Sequence, residues 1–397
     1  MGKSTIMENL NCQKYGVPLY GASWVPQKVI RSNLQTNDDD EVAGDGSLTS
    51  DASITTDAST QNYLVLAGGG GEGRSGIPNA LLLAQFDFAS NSLSDSPVDK
   101  LGTGADLPYR MAVHPDGEGL ICSLPKSCRW FKWNTTKSHE KHKLGLTISE
   151  EVLTELEDVG QQLAVTFSDN GSLFAAGGED GKLRVFKWPT MEIILNEGQS
   201  YSAVKNLDFS VDGKFLVSVG SGGPCRVWDV TSSKAVALLQ KENDEVIGFC
   251  RFSRGSDGNQ VLYTTSMQGE RGSIVTWNTS SWNRMASKQI IRDPISAFNV
   301  SDDGKLLAIG TIQGDILVIN STNMHVQMTV KKAHLGLVTA LMFSSNSRAL
   351  VSASLDSSAR VTIIQAKNKS GFNYWIIVII GLLAILVYLV KTKGLIP

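Results

Sequence analysis

The sequence predicts an all-β protein, a seven-bladed WD40-type β-propeller, followed by a single transmembrane α-helix. A strand–turn–strand pattern recurs along the chain at the WD40 period, several strands end on tryptophan, and one long charge-free apolar run closes the sequence.

The repeats justify the blades in order. The pattern is an apolar alternating strand, a turn of the Ser/Pro-Asp-Gly kind, a second apolar strand, and a third ending in an aromatic or polar pair. Copies run from Met111 to Gly117, Leu163 to Gly171, Leu207 to Gly213, Phe249 to Gly258 and Ala297 to Gly304. A last copy, Ala340 to Ser347, has lost the glycine. From the second copy onward the turns lie about 42–46 residues apart, and the first interval is nearer 54. An Asp-Gly turn supplies the φ > 0 position of a tight hairpin, so each copy reads as part of a four-stranded blade. Third strands close on Trp188, on Trp228-Asp229 and on Trp277-Asn278.

Six copies leave the N-terminal strands to make a seventh blade: Leu19 to Val25, Tyr63 to Ala67 and Ala80 to Phe86. The expectation is that Arg360 to Gln365 completes that blade and closes the ring, which removes exposed sheet edges. Two polar stretches interrupt the pattern. Residues 27–62 carry an acidic run at Asp38 to Glu41 and read as a disordered insertion; residues 132–157 read as a second polar insertion.

Tyr374 to Val390 contains 12 Leu, Ile or Val residues and no charge. Each favours insertion by roughly 0.3–0.6 kcal/mol, on the order of 4–7 kcal/mol together. At about 1.5 Å per residue, 372–390 reaches roughly 28 Å, which suits the thin bilayer of the endoplasmic reticulum (ER). The expected layout is a propeller at 1–366, a linker at 367–371, the membrane helix at 372–390 and a short lumenal tail at 391–397. Lysines balance on the two sides (Lys367 and Lys369, Lys391 and Lys393), so orientation rests on the absence of an N-terminal apolar leader and on the brevity of the tail. Both place the N-terminal domain in the cytosol.

Composition narrows the function classes. A net charge of -3 offers no field for nucleic acid. Five scattered cysteines without zinc spacing read as reduced thiols. No HExxH, GxSxG or triad signature supports a hydrolase or redox enzyme, and His114, at a blade turn, reads as structural.

The least ordinary segment is Ala67 to Asn79, with six glycines in the nine residues 68–76. A formal GxGxxG spans Gly71 to Gly76, but Ile77-Pro78-Asn79 and the apolar Leu81 to Leu83 follow instead of a helix, so the segment joins two strands. Such a loop can turn its backbone where other residues cannot, and converging carbonyls can replace the hydration shell of a cation.

This loop, the Leu-Val-Leu strand before it, and Tyr15-Gly with Tyr20-Gly-Ala22 upstream resemble the family of ER-membrane guanine-nucleotide exchange factors that start COPII coat assembly. The resemblance implies a seven-bladed propeller with a transmembrane helix, single-pass in the ER membrane, and a functional loop at Gly68 to Asn79 acting on a Sar-type small GTPase. It implies that Gly76, Ile77, Pro78 and Asn79 contact the GTPase. The carbonyls of Gly68, Gly69, Gly70 and Gly71 would bind potassium. Action would be by differential binding, not by covalent chemistry. The alternative is a non-catalytic escort that helps membrane cargo such as transporters leave the ER; that branch lacks the glycine pattern this chain retains.

Overall fold

The computed structural model describes residues 10–35, 61–73, 75–138, 141–198, 200–242, 244–253 and 260–364, together with Leu382. The expected linker, the membrane helix apart from Leu382, and the tail fall outside this set, as do 36–60 of the expected insertion.

Seven antiparallel sheets form the propeller. After β1 (Cys12–Lys14), the first blade comprises β2 (Leu19–Trp24), β3 (Gln61–Gly68) and β4 (Asn79–Asp87), with β5 (Ser92–Leu93) and β6 (Asp99–Gly104) both paired to β4. Blades two to six are β7–β10 (111–148), β11–β14 (162–197), β15–β18 (203–239), β19–β22 (246–291) and β23–β26 (295–330). Blade seven holds β27–β29 (338–363). Second strands are packed between neighbouring blades and are largely buried, serines and threonines included; all six residues of Ala349–Ser354 are buried. Outer strands such as Arg284–Ile291 are largely exposed.

Ring closure differs from expectation. Arg360 to Ile363 belongs to the third strand of blade seven, and β1 supplies that blade's fourth strand, pairing Cys12 with Arg360 and Lys14 with Ser358. The exchange therefore runs from the N-terminus into the last blade, and blade one is completed by its own β5 and β6. Trp24 Nε1 donates to Met342 O (3.1 Å) and Thr339 Oγ1 to Leu19 O (2.7 Å), which ties blades one and seven. One apolar cluster spans this seam, with Leu64 and Leu82 against Val351 and Val361.

Both expected insertions contain regular structure. Residues 27–35 form a helix, α1 (Gln27–Gln35), because Val29 and Ile30 bury against Leu144 and Leu146 of blade two. Most of 132–157 is not an insertion but a long hairpin, Cys128–Ser138 with Lys141–Ile148, which supplies the outer half of blade two and accounts for the longer first interval.

The repeated turns follow from local chemistry. In blade four Ser210 Oγ donates to Asp212 Oδ1 (2.6 Å) and accepts from Phe215 N (2.8 Å), with Gly213 at φ 68°. The degenerate copy keeps this geometry with Ser347 at φ 57°. Behind the turns lie polar links that the sequence pattern did not disclose. Trp228 Nε1 donates to Ser218 Oγ (2.7 Å), which also bonds the Tyr201 hydroxyl (2.8 Å). His334 bridges Ser358 Oγ (2.6 Å) and Ser352 Oγ (2.8 Å). His114 is buried as expected, its ring 5.0 Å from that of Phe167. All five cysteines are free, and burial pushes the Cys128 thiol up to about 12.

Candidate functional site

The glycine segment is the connection between β3 and β4 of blade one, as its flanking apolar runs require. In an antiparallel blade this connection lies at the end opposite the Asp-Gly turns. It therefore shares a face with the connections between blades.

One side chain organises it. Asn79, the first residue of β4, is only 4% exposed. Its Oδ1 accepts from Gly71 N (2.9 Å), and its Nδ2 donates to Gly71 O (3.2 Å), Gly104 O (3.1 Å) and Ala105 O (3.0 Å). The amide thus staples the loop to itself and to the connection that follows β6. The loop's entry is fixed separately, by Gly69 N donating to Pro18 O (3.0 Å).

Glycine is required here at two places for different reasons. A Cβ on Gly69 would collide with Asn79 Oδ1 and lie 2.7 Å from Asn79 Cα, so the staple exists only because position 69 has no side chain. Gly71 has open space around it but sits at φ 79°, where an L-residue is strained by roughly 1–2 kcal/mol.

The residues expected to meet a GTPase divide into two groups. Gly76 and Pro78 are exposed and Ile77 is half-buried, packed against the seam between blades one and seven. These three can present backbone and apolar surface to a partner. Asn79 faces inward, with its amide committed to the chain's own backbone, so its place in the site is that of a brace. Of the four expected potassium ligands, Gly68 ends β3, Gly69 and Gly70 follow it, and Gly71 carries the bonds to Asn79.

Gly104 and Ala105 are the members of the site that sequence reasoning missed. They stand 25 and 26 residues beyond Asn79. The one trace in the sequence is the second glycine cluster, Gly102-Thr103-Gly104. Three carbonyls converge on a single Nδ2 that has two protons, so their lone pairs are not all satisfied.

Comparison with known proteins fits this picture. A family model for the WD domain, G-beta repeat, matches residues 326–362, and one for the anaphase-promoting complex subunit 4 WD40 domain matches 165–254. SEC12-like protein 2 of Arabidopsis thaliana is 53% identical over 366 residues, covering 92% of this chain and 91% of the relative. SEC12-like protein 1 of the same plant is 31% identical, covering 72% and 71%. The guanine nucleotide-exchange factor SEC12 of Mus musculus is 24% identical, covering 83% and 92%. With a glycine loop braced on a seven-bladed propeller, and similarity along nearly its whole length, the chain belongs to the SEC12-like family.

Proposed function

We propose that this protein is a guanine-nucleotide exchange factor that activates a Sar-type small GTPase at the ER membrane and so initiates COPII vesicle formation. The observation that carries the reading is the loop itself: a Gly76-Ile77-Pro78 tip, exposed at Gly76 and Pro78 and half-buried at Ile77, on a base that Asn79 ties to the backbone. A rigid protrusion can favour one conformation of a partner over another; a floppy one would lose that preference to ordering entropy. The propeller is the mount, and the apolar run at 372–390 anchors it, leaving the N-terminal domain cytosolic.

The mechanism is differential binding. The tip contacts the GTPase where its nucleotide phosphates and switch segments lie. The contact is stronger when the nucleotide is absent, so binding shifts the GTPase toward an emptied site that GTP then fills. No bond is made or broken by this chain. Potassium belongs to the same reading. Neutral backbone carbonyls, such as those of Gly71, Gly104 and Ala105 that share one Asn79 nitrogen, suit a weakly hydrated monovalent cation better than a divalent one. The carbonyls of Gly68 to Gly71 would hold the ion, whose positive charge would add to the order that Asn79 provides.

The test is affinity by nucleotide state. The full-length protein in liposomes should bind a nucleotide-free Sar-type GTPase at least about 100-fold more tightly than its GDP form, since a coupling below roughly 3 kcal/mol shifts few sites. Equal affinity for the two forms would refute the mechanism.

A further inference from the structure

We infer that residues 103–110 are a second working part of the exchange element, with Arg110 as the positioning residue that sets the glycine loop; the inference rests on the exchange reading above. The segment leaves β6 and enters blade two. At its start Gly104 and Ala105 receive Asn79 Nδ2 (3.1 and 3.0 Å), and Thr103 Oγ1 donates to Asp106 O (2.6 Å) to close a turn. At its end Tyr109 N and Arg110 N bond Ser123 O and Oγ (2.9 and 3.0 Å), which seats it on blade two.

The Arg110 side chain then leaves its own blade. Its Nη1 donates to Tyr20 O in blade one (2.9 Å) and to Thr339 O in blade seven (3.1 Å). The guanidinium lies 4.7 Å from the centre of the Tyr109 ring, which in turn packs on Tyr20 with centroids 5.5 Å apart. Both ends of the glycine loop are therefore referred to one cation. The entry is tied through Tyr20 and its neighbour Leu19, which pairs with Gly68. The exit is tied through 104–105 and Asn79. The two protons of one guanidinium nitrogen thus reach carbonyls of two different blades while the planar group lies against the Tyr109 ring.

A generic role in holding blades together would not single out the loop, and the fold supplies the comparison. Arg251 also crosses a blade boundary, donating through Nη1 to Asn206 Oδ1 (2.9 Å) and Leu207 O (3.3 Å), but between blades four and five. The experiment compares Arg110→Gln with Arg251→Gln in the full-length protein in liposomes. It follows amide hydrogen exchange across 69–79 and GDP release from a Sar-type GTPase. Arg110→Gln should speed exchange of the loop amides about tenfold and lower the maximal rate of GDP release about fivefold, leaving KM within about twofold. Arg251→Gln should leave all three at wild-type values whatever its effect on Tm. Equal loosening of the loop in both variants, or none in Arg110→Gln, would overturn the assignment. A wild-type chain that releases no GDP overturns the exchange reading instead. The amide comparison then decides alone whether Arg110 holds the loop.

Discussion

Asn79 and His334 show how single side chains set conditions that the strands cannot. Asn79 commits its amide to backbone groups on three residues, so its loss would free Gly71 N–H and three carbonyls to water at the rim, away from the packed core. The fold should survive that loss and the loop should not keep its shape. His334 is fully enclosed, and burial lowers its pKa from 6.5 to about 4, outweighing the pull of Asp356 at 3.8 Å. The unfolded chain takes up this proton at the ordinary value and the folded chain refuses it, so stability rises with pH across the interval. The contribution is complete above about pH 6.5 and drains as pH falls toward 4, by on the order of 3 kcal/mol. Denaturant unfolding at the two ends of that window should show this slope, and His334→Asn should flatten it while lowering stability throughout.

At the scale of elements, the turns separate what is local from what is not. Ser-x-Asp-Gly folds by bonds within five residues, which is why the blades could be read from the sequence. Ser347 occupies the glycine position of the last copy at φ 57°, and its hydroxyl is buried without a partner. Ser347→Gly should therefore raise stability by about 1 kcal/mol, measured as a shift of the denaturant midpoint at constant slope. The glycine loop was legible as a loop, since its composition excludes strand and helix. Its brace was not, because Gly104 and Ala105 meet Asn79 only once β6 has paired beside β4. α1 escaped for a similar reason: Gln27–Gln35 has only Val29, Ile30 and Leu34 as apolar side chains, and blade two, far along the chain, gives the first two their burial. Residues 132–157 read as a polar insertion because 132–143 carries almost only polar and charged side chains, although it spans two strands of the hairpin.

For the whole molecule the decisive feature is where the ring closes. The β1 segment, Cys-Gln-Lys, is too short and too polar to declare itself in the sequence, yet it supplies the last edge of blade seven. Tyr15 follows it, donating N–H to Ser357 O (2.9 Å) and its hydroxyl to Ser94 O (2.9 Å), so the closing strand runs straight into the blade that carries the loop. A chain lacking residues 1–14 should lose on the order of 3–5 kcal/mol, several ladder bonds at about 1 kcal/mol each, visible as a lower Tm and faster amide exchange in blade seven. Closure, the Arg110 contact and the glycine loop meet at one seam among blades seven, one and two. These cross-blade bonds gather where the proposed partner would dock, and the proposed anchor would keep that seam at one membrane.

In the proposed mechanism a loop held by Asn79 drives nucleotide release. The direct measurement is GDP dissociation from a Sar-type GTPase in potassium buffer, with the full-length protein in liposomes and with its Asn79→Ala variant. The account predicts clear acceleration by the wild-type chain and a loss of about tenfold in the variant at nearly unchanged Tm. No acceleration by the wild type, or a variant as fast as the wild type, would contradict it.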